Sequence, residues 1–181
     1  MKKNFVKSRW LFTMLLFVTT MIMPSMMLAK SITPTQPKGD GKTKPYQIGT
    51  AEELYWFARL VNGKLENVDR DKSANAILTA NIIVNTGVLD AVNKGKVSES
   101  DFIEWEPIGK HDNYNDVYTG TFDGQGYTIS GLYFNDTKAS YVGLFGYIGD
   151  EYYGHKGKIS NVGVSDSYFQ FDKQGGEVYA D

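Results

Sequence analysis

Beyond residue 100 the chain is a series of short β-prone runs, each cut off by glycine. The runs cover 105–109, 118–122, 127–134, 141–148 and 158–169, with Gly109, Gly120, Gly124, Gly126, Gly131, Gly143, Gly146 and Gly149 in or between them. Short apolar and aromatic runs with this punctuation cannot make long helices, and they define an all-β domain. Residues 76–84 (AILTANIIV) read as one further strand, and 85–101 as an insertion or loop. Within the runs, Ile129-Ser130-Gly131-Leu132 is echoed by Ile159-Ser160-Asn161-Val162 thirty residues later. A period of that size fits one coil of a β-solenoid, whose neighbouring coils pair roughly 4.8 Å apart. Evenly spaced short strands also occur in antiparallel β-sandwiches, so spacing alone leaves both architectures open.

One helix is expected, over 50–63. Thr50 is a good N-cap, Glu53 three residues later completes a capping box, and Asn62-Gly63 supplies the stop. Leu54, Trp56, Phe57, Ala58, Leu60 and Val61 form a broad apolar arc, with Glu52, Tyr55, Arg59 and Asn62 opposite. An arc that wide suits a helix laid across the open end of a sheet stack.

The amino end has the parts of a signal peptide over 1–29. Lys2, Lys3, Lys7 and Arg9 precede an uncharged apolar run, then come Pro24, Ala29 and a polar stretch. Uncleaved, the same run is long enough to act as a membrane anchor. Residues 30–45, with Pro34, Pro37, Gly39, Gly41 and Pro45, read as a flexible tether. The repeat domain then occupies 46–181 and is expected to be cut short at its carboxyl end, or to be a very short member of its kind.

Charge and cysteine exclude some functions. The chain has 19 Lys+Arg and 21 Asp+Glu, and the first 29 residues hold four of the basic residues and no acid. The remainder therefore carries 15 against 21, a net of −6, which argues against nucleic acid as a partner. With no cysteine, the domain has no disulfide, thiol nucleophile or Cys-based zinc site.

The string 118–132 (YTGTFDGQGYTISGL), preceded by 105–109 (WEPIG) and followed by 141–146 (YVGLFG), resembles the opening of bacterial GLUG-motif repeat proteins. The helix segment with Tyr46-Gln47-Ile48-Gly49 before it is similar to what precedes those repeats. The likeness covers roughly 45–169. It implies a right-handed parallel β-helix with a surface role, as an adhesin or as a binding or spacer module. It also implies a kinship to the non-catalytic repeat region of some immunoglobulin-A peptidases. The expected partner is an extracellular glycan or a host or matrix protein.

No catalytic, cofactor or metal residues are assigned. His111 and His155 lie in polar loops outside any metalloprotease motif. Asp123 in FDGQG is better explained as a turn residue than as half of a glycosidase pair. Asp112, Asn113, Asn115 and Asp116 crowd one loop with oxygen ligands, but Tyr114 and Val117 break the spacing of a calcium loop. Tyr114, Tyr118, Tyr147, Tyr152 and Tyr153 could contact a glycan or protein, but tyrosine is a good strand residue and the structural reading is favoured. The rival function is a polysaccharide lyase or glycosidase on the same scaffold. Arg59 and Arg70 both precede the β-rich stretch, which contains no arginine to serve as a lyase base.

Overall fold

The computed structural model describes residues 30–95, 101–110, 117–136, 138–149, 154 and 156–170. The segments 1–29, 111–116 and 171–181 lie outside them. So do the expected signal peptide, the polar 112–116 cluster, His111, His155, Tyr114, Tyr152 and Tyr153.

The domain is β-rich, and its strands pair in parallel. The chain opens with β1 (Tyr46–Ile48) and α1 (Ala51–Asn62). It then lays down β2 (Ala76–Leu78), β3 (Ile82–Ile83) and a short helix, α2 (Val88–Asn93). Two three-strand passes follow. The first is β4 (Thr121–Asp123), β5 (Thr128–Ser130) and β6 (Tyr133–Asn135). The second is β7 (Lys158–Ser160), β8 (Gly163–Ser165) and β9 (Tyr168–Gln170). The strands gather into three sheets, ordered β1-β2-β4-β7, β3-β5-β8 and β6-β9. All six strand pairings are parallel, where a sandwich of the kind left open by spacing would pair antiparallel. Parallel neighbours need a long connection between them, which is why the loops are larger than the strands.

Alternation sets the core. Ile48, Leu78, Phe122, Ile82, Ile129 and Leu132 are buried, while Gln47, Ile83, Thr121 and Thr128 point outward. Residues 76–84 are two strands, not one. Thr79-Ala80-Asn81 turns the chain from the first sheet to the second, and the Asn81 carboxamide oxygen accepts the Thr128 N–H at 2.9 Å. The thirty-residue echo is also not the register. Ile129 pairs with Val164, and Ile159 with Phe122. The two quartets sit at different corners, the first between β5 and β6 and the second between β7 and β8. Each is Ile-Ser followed by a residue with left-handed backbone, Gly131 at φ 74° and Asn161 at φ 53°. Like corner chemistry produced the likeness. Measured along the first sheet, passes advance by 30, 46 and 37 residues, as Tyr46 pairs with Ala76, Ala76 with Phe122 and Thr121 with Lys158.

The helix α1 forms where the sequence places it. Thr50 Oγ1 accepts the Glu53 N–H at 3.3 Å, and Gly63 ends the helix at φ 69°. Lys64 N–H reaches Arg59 O at 2.8 Å, closing a Schellman turn. The capping box is offset by one residue, because Glu53 Oε2 accepts the Gly49 N–H at 2.7 Å and not that of Thr50. Tyr55 is buried and not on the outer face. Its ring meets Trp105 edge-on at 5.1 Å and its hydroxyl donates to Glu104 O at 2.7 Å. Phe57 reaches across the stack to Tyr118 and Phe122, with ring centroids 6.1 and 5.9 Å away.

Two loops carry more structure than their sequence announces. Within 85–101, α2 buries Val88 against Phe102 and Tyr133. The expected flexible tether is docked along much of its length. Ile32 packs on the core, Thr35 N–H donates to Glu52 O at 3.2 Å, and Lys38 bridges antiparallel to Gln47. Asp40 folds this segment back on itself. Its Oδ1 accepts the Lys42 and Lys44 N–H groups, both at 2.8 Å, and its Oδ2 accepts the Thr43 hydroxyl at 2.6 Å. Those bonds hold the Asp40 carboxyl down at about 2.

Candidate binding cleft

A cleft of about 570 Å³ opens between the loop 104–110, the start of the loop after β6 and the carboxyl end of α1. That is the size range of small-molecule sites. Its making begins at Asn62, the last residue of α1. The Asn62 carboxamide donates to Pro107 O at 3.0 Å and to Glu106 Oε1 at 3.3 Å, and accepts the Gly109 N–H at 3.0 Å. The helix end therefore clamps one wall in place. Trp105 is 1% exposed, and its indole N–H donates to Gly143 O at 3.0 Å. This ties the first wall to the loop that carries the second. Phe134, also buried, adds apolar lining, while Tyr141 stands 44% exposed with its ring edge-on to Tyr147 at 5.5 Å.

The rim is charged with both signs. Glu106 Oε1 is 2.6 Å from Lys64 Nζ and 2.9 Å from Lys110 Nζ. Burial pushes the Glu106 carboxyl up, but the hydrogen bonds from Lys64 and Lys110 outweigh it and leave it below its ordinary value. A carboxylate so held is ionised at neutral pH and is no store for a proton. It fixes two ammonium groups at the mouth. Glu104, Asp136, Lys138 and Ser140 complete the polar lining. The arrangement offers ammonium donors, carboxylate acceptors and one exposed aromatic face, a combination suited to holding a hydroxylated or zwitterionic ligand.

Of the site candidates singled out by sequence, none that is described lines this cleft. Tyr118 is fully buried, its hydroxyl donating to Ala74 O at 2.9 Å, and burial pushes its phenol up. It is a core residue. Tyr147 is half-buried behind Tyr141. Asp123 lies at a corner. Its Oδ1 accepts Gln125 N–H at 2.9 Å and Asn161 Nδ2 at 3.0 Å, bonds that lower its carboxyl and fit the turn role. Asn62, Tyr141 and the lysines were not read as site residues. The Asn62-Gly63 pair has a complete local explanation as a helix stop, and nothing local shows that Asn62 also reaches residues 106–109.

No known family's sequence profile matches the chain, and no solved structure matches it. A protein of Evansella cellulosilytica, described by its name as a Gly-rich membrane protein, is 41% identical over 64 residues, 35% of this chain. The match spans only 6% of that relative's length. Among the described residues no helix is long and apolar enough to cross a membrane.

Proposed function

We propose that this chain is an exported, GLUG-type repeat protein, wound as a right-handed parallel β-helix with α1 as its cap. It acts at the bacterial surface or in the medium as a non-catalytic binding module. Three lines support the reading: the parallel register repeated on three sheets, the resemblance of 105–146 to GLUG repeats, and the signal-like composition of 1–29. The observation that carries the binding role is the cleft. A clamped wall, a tryptophan-backed lining and an exposed Tyr141 stand on a rigid stack, where a site can be held open without ordering cost at each encounter. The ligand class is an extracellular glycan or a polar segment of a matrix protein.

The test is a glycan array and a panel of matrix proteins probed with the purified protein, followed by titration of the best binder. Tyr141→Ala is expected to weaken that binding at least about tenfold, roughly 1.4 kcal/mol. Binding that ignores Tyr141→Ala, or no binding on either panel, contradicts the cleft as the site. Unsaturated or hydrolysed products from pectin, alginate or glycosaminoglycans would instead establish the enzyme alternative.

A further inference from the structure

We propose that the cleft selects a carboxylated sugar, seating the ligand's acid group on the Lys64 ammonium beside Lys110 and a neighbouring hydroxyl on Glu106. The inference rests on the reading of the cleft as a glycan site and names the kind of sugar it takes. Its basis is how charge is arranged at the mouth. Glu106 Oε1 alone meets three donors: Lys64 Nζ at 2.6 Å, Lys110 Nζ at 2.9 Å and Asn62 Nδ2 at 3.3 Å. Two ammonium groups are thus drawn together on one oxygen. Like charges held so close repel, and a second carboxylate set against them relieves the repulsion. Among the described residues, Lys64 Nζ meets no carboxylate but Glu106. An ammonium carries three N–H donors, so Lys64 keeps two for a ligand. Asp136, on the other wall, is engaged in its own turn, where its Oδ1 accepts the Lys138 N–H at 2.9 Å.

Two further groups make the ligand a sugar and not any acid. Among the described residues no donor reaches Glu106 Oε2, since all three fall on Oε1. Burial works against the Glu106 charge, and the two lysine bonds more than offset it. An ionised carboxylate oxygen accepts and does not donate, so Oε2 takes a hydroxyl. Tyr141, 44% exposed in the same lining, offers an aromatic ring to the C–H side of a pyranose. Asn62 spends both amide N–H groups and its oxygen on residues 106–109, and so positions Glu106 without touching the ligand. The chain beyond residue 29 carries a net of −6 and exerts no general pull on acids. The preference therefore has to come from the lysines at close range.

The experiment is calorimetric titration of the full chain, purified after export, with short oligomers of galacturonate, glucuronate, mannuronate and guluronate. Each is run beside its counterpart with the carboxyls reduced to primary alcohols, and sialyllactose is run beside lactose. At least one acidic sugar is expected to bind at least about tenfold more tightly than its neutral counterpart. Lys64→Gln should bring that ratio below about threefold, and Lys110→Gln should lower it too. Lys158→Gln, on β7 and outside the cleft, should keep it. Tyr141→Ala should weaken acidic and neutral sugars alike. Neutral sugars bound as tightly as acidic ones, and weakened by Tyr141→Ala, overturn this proposal and leave the cleft a glycan site. A ratio indifferent to Lys64→Gln overturns it as well. Polyglutamate competing as strongly as the acidic sugar means that charge alone is read, and overturns the sugar assignment. No acidic sugar bound also overturns it, and the effect of Tyr141→Ala on the best binder of the glycan array then decides the glycan reading separately.

Discussion

Asn85 is the one polar side chain among the described residues that the core encloses, at 2% exposure. Its Nδ2 donates to Gly131 O at 2.8 Å and Ile103 O at 2.9 Å, and its Oδ1 accepts the Ile103 N–H at 2.8 Å. It thus satisfies backbone groups of two passes that no ladder reaches. Gly131 lies against it at φ 74°, and a Cβ there would collide with the Asn85 carbonyl oxygen. Two constraints coincide, a left-handed backbone and a close approach, so only glycine fits. Gly131→Ala should destabilise by at least about 2 kcal/mol, and Asn85→Ala by on the order of 3 kcal/mol through groups left unpaired. Urea unfolding measures both, and a loss under 1 kcal/mol in either would refute the local account. Gly131 was legible as a corner residue from sequence. Asn85 was not, since its partners lie 18 and 46 residues away.

Acid should reach the docked amino-terminal segment through Asp40. Its folded value of about 2 lies below the ordinary 3.8. A depressed carboxylate contributes stability that is complete above the ordinary value and lost as pH falls toward the folded one. The Asp40 contribution is therefore present at neutral pH and disappears between roughly pH 4 and 2. Melting followed across that window should show a shallower acid dependence in Asp40→Asn. An unchanged profile would mean that the turn does not form in solution.

At the scale of elements, α1 was legible because its signals are local. Thr50→Ala should cost about 1 kcal/mol, and Phe57→Ala about 3–5 kcal/mol, because its ring contacts three others, Tyr46, Tyr118 and Phe122. Thermal melts of the two variants should differ plainly, and similar losses would mean the helix is held by its cap more than by its buried face. Periodicity misjudged Tyr55, whose partner Trp105 is 50 residues on. The docking of segment 32–45 is hidden from sequence for a related reason. Proline and glycine mark it as unable to build a core, yet it needs only a β1 edge and an Asp40 turn to lie down. The split of 76–84 into β2 and β3 was hidden because an apolar run has no marker when the turn is made by Thr79-Ala80-Asn81 without glycine.

For the whole molecule, the β-rich class followed from punctuation, and the parallel stacking gives it a direction. Each pass adds a strand beside its predecessor, and side-chain rows such as Ala76, Phe122 and Ile159 run up the interior. The cleft was invisible in the sequence because α1, the 104–110 loop and the loop after β6 come together only through that stacking. Insertions of unequal length, which make passes of 30, 46 and 37 residues, obscured the true register and let the corner echo stand in for it.

That register is open to a direct measurement, since the chain has no cysteine of its own. Ser130 and Ser165 are partners across β5 and β8, whereas the thirty-residue echo would place Ser130 beside Ser160. Adjacent parallel strands bring Cα atoms within disulfide range. Mild oxidation of Ser130→Cys/Ser165→Cys should close a bridge within the native protein, and Ser130→Cys/Ser160→Cys should stay reduced. Bridging of the second pair and not the first would contradict the strand register on which the account depends.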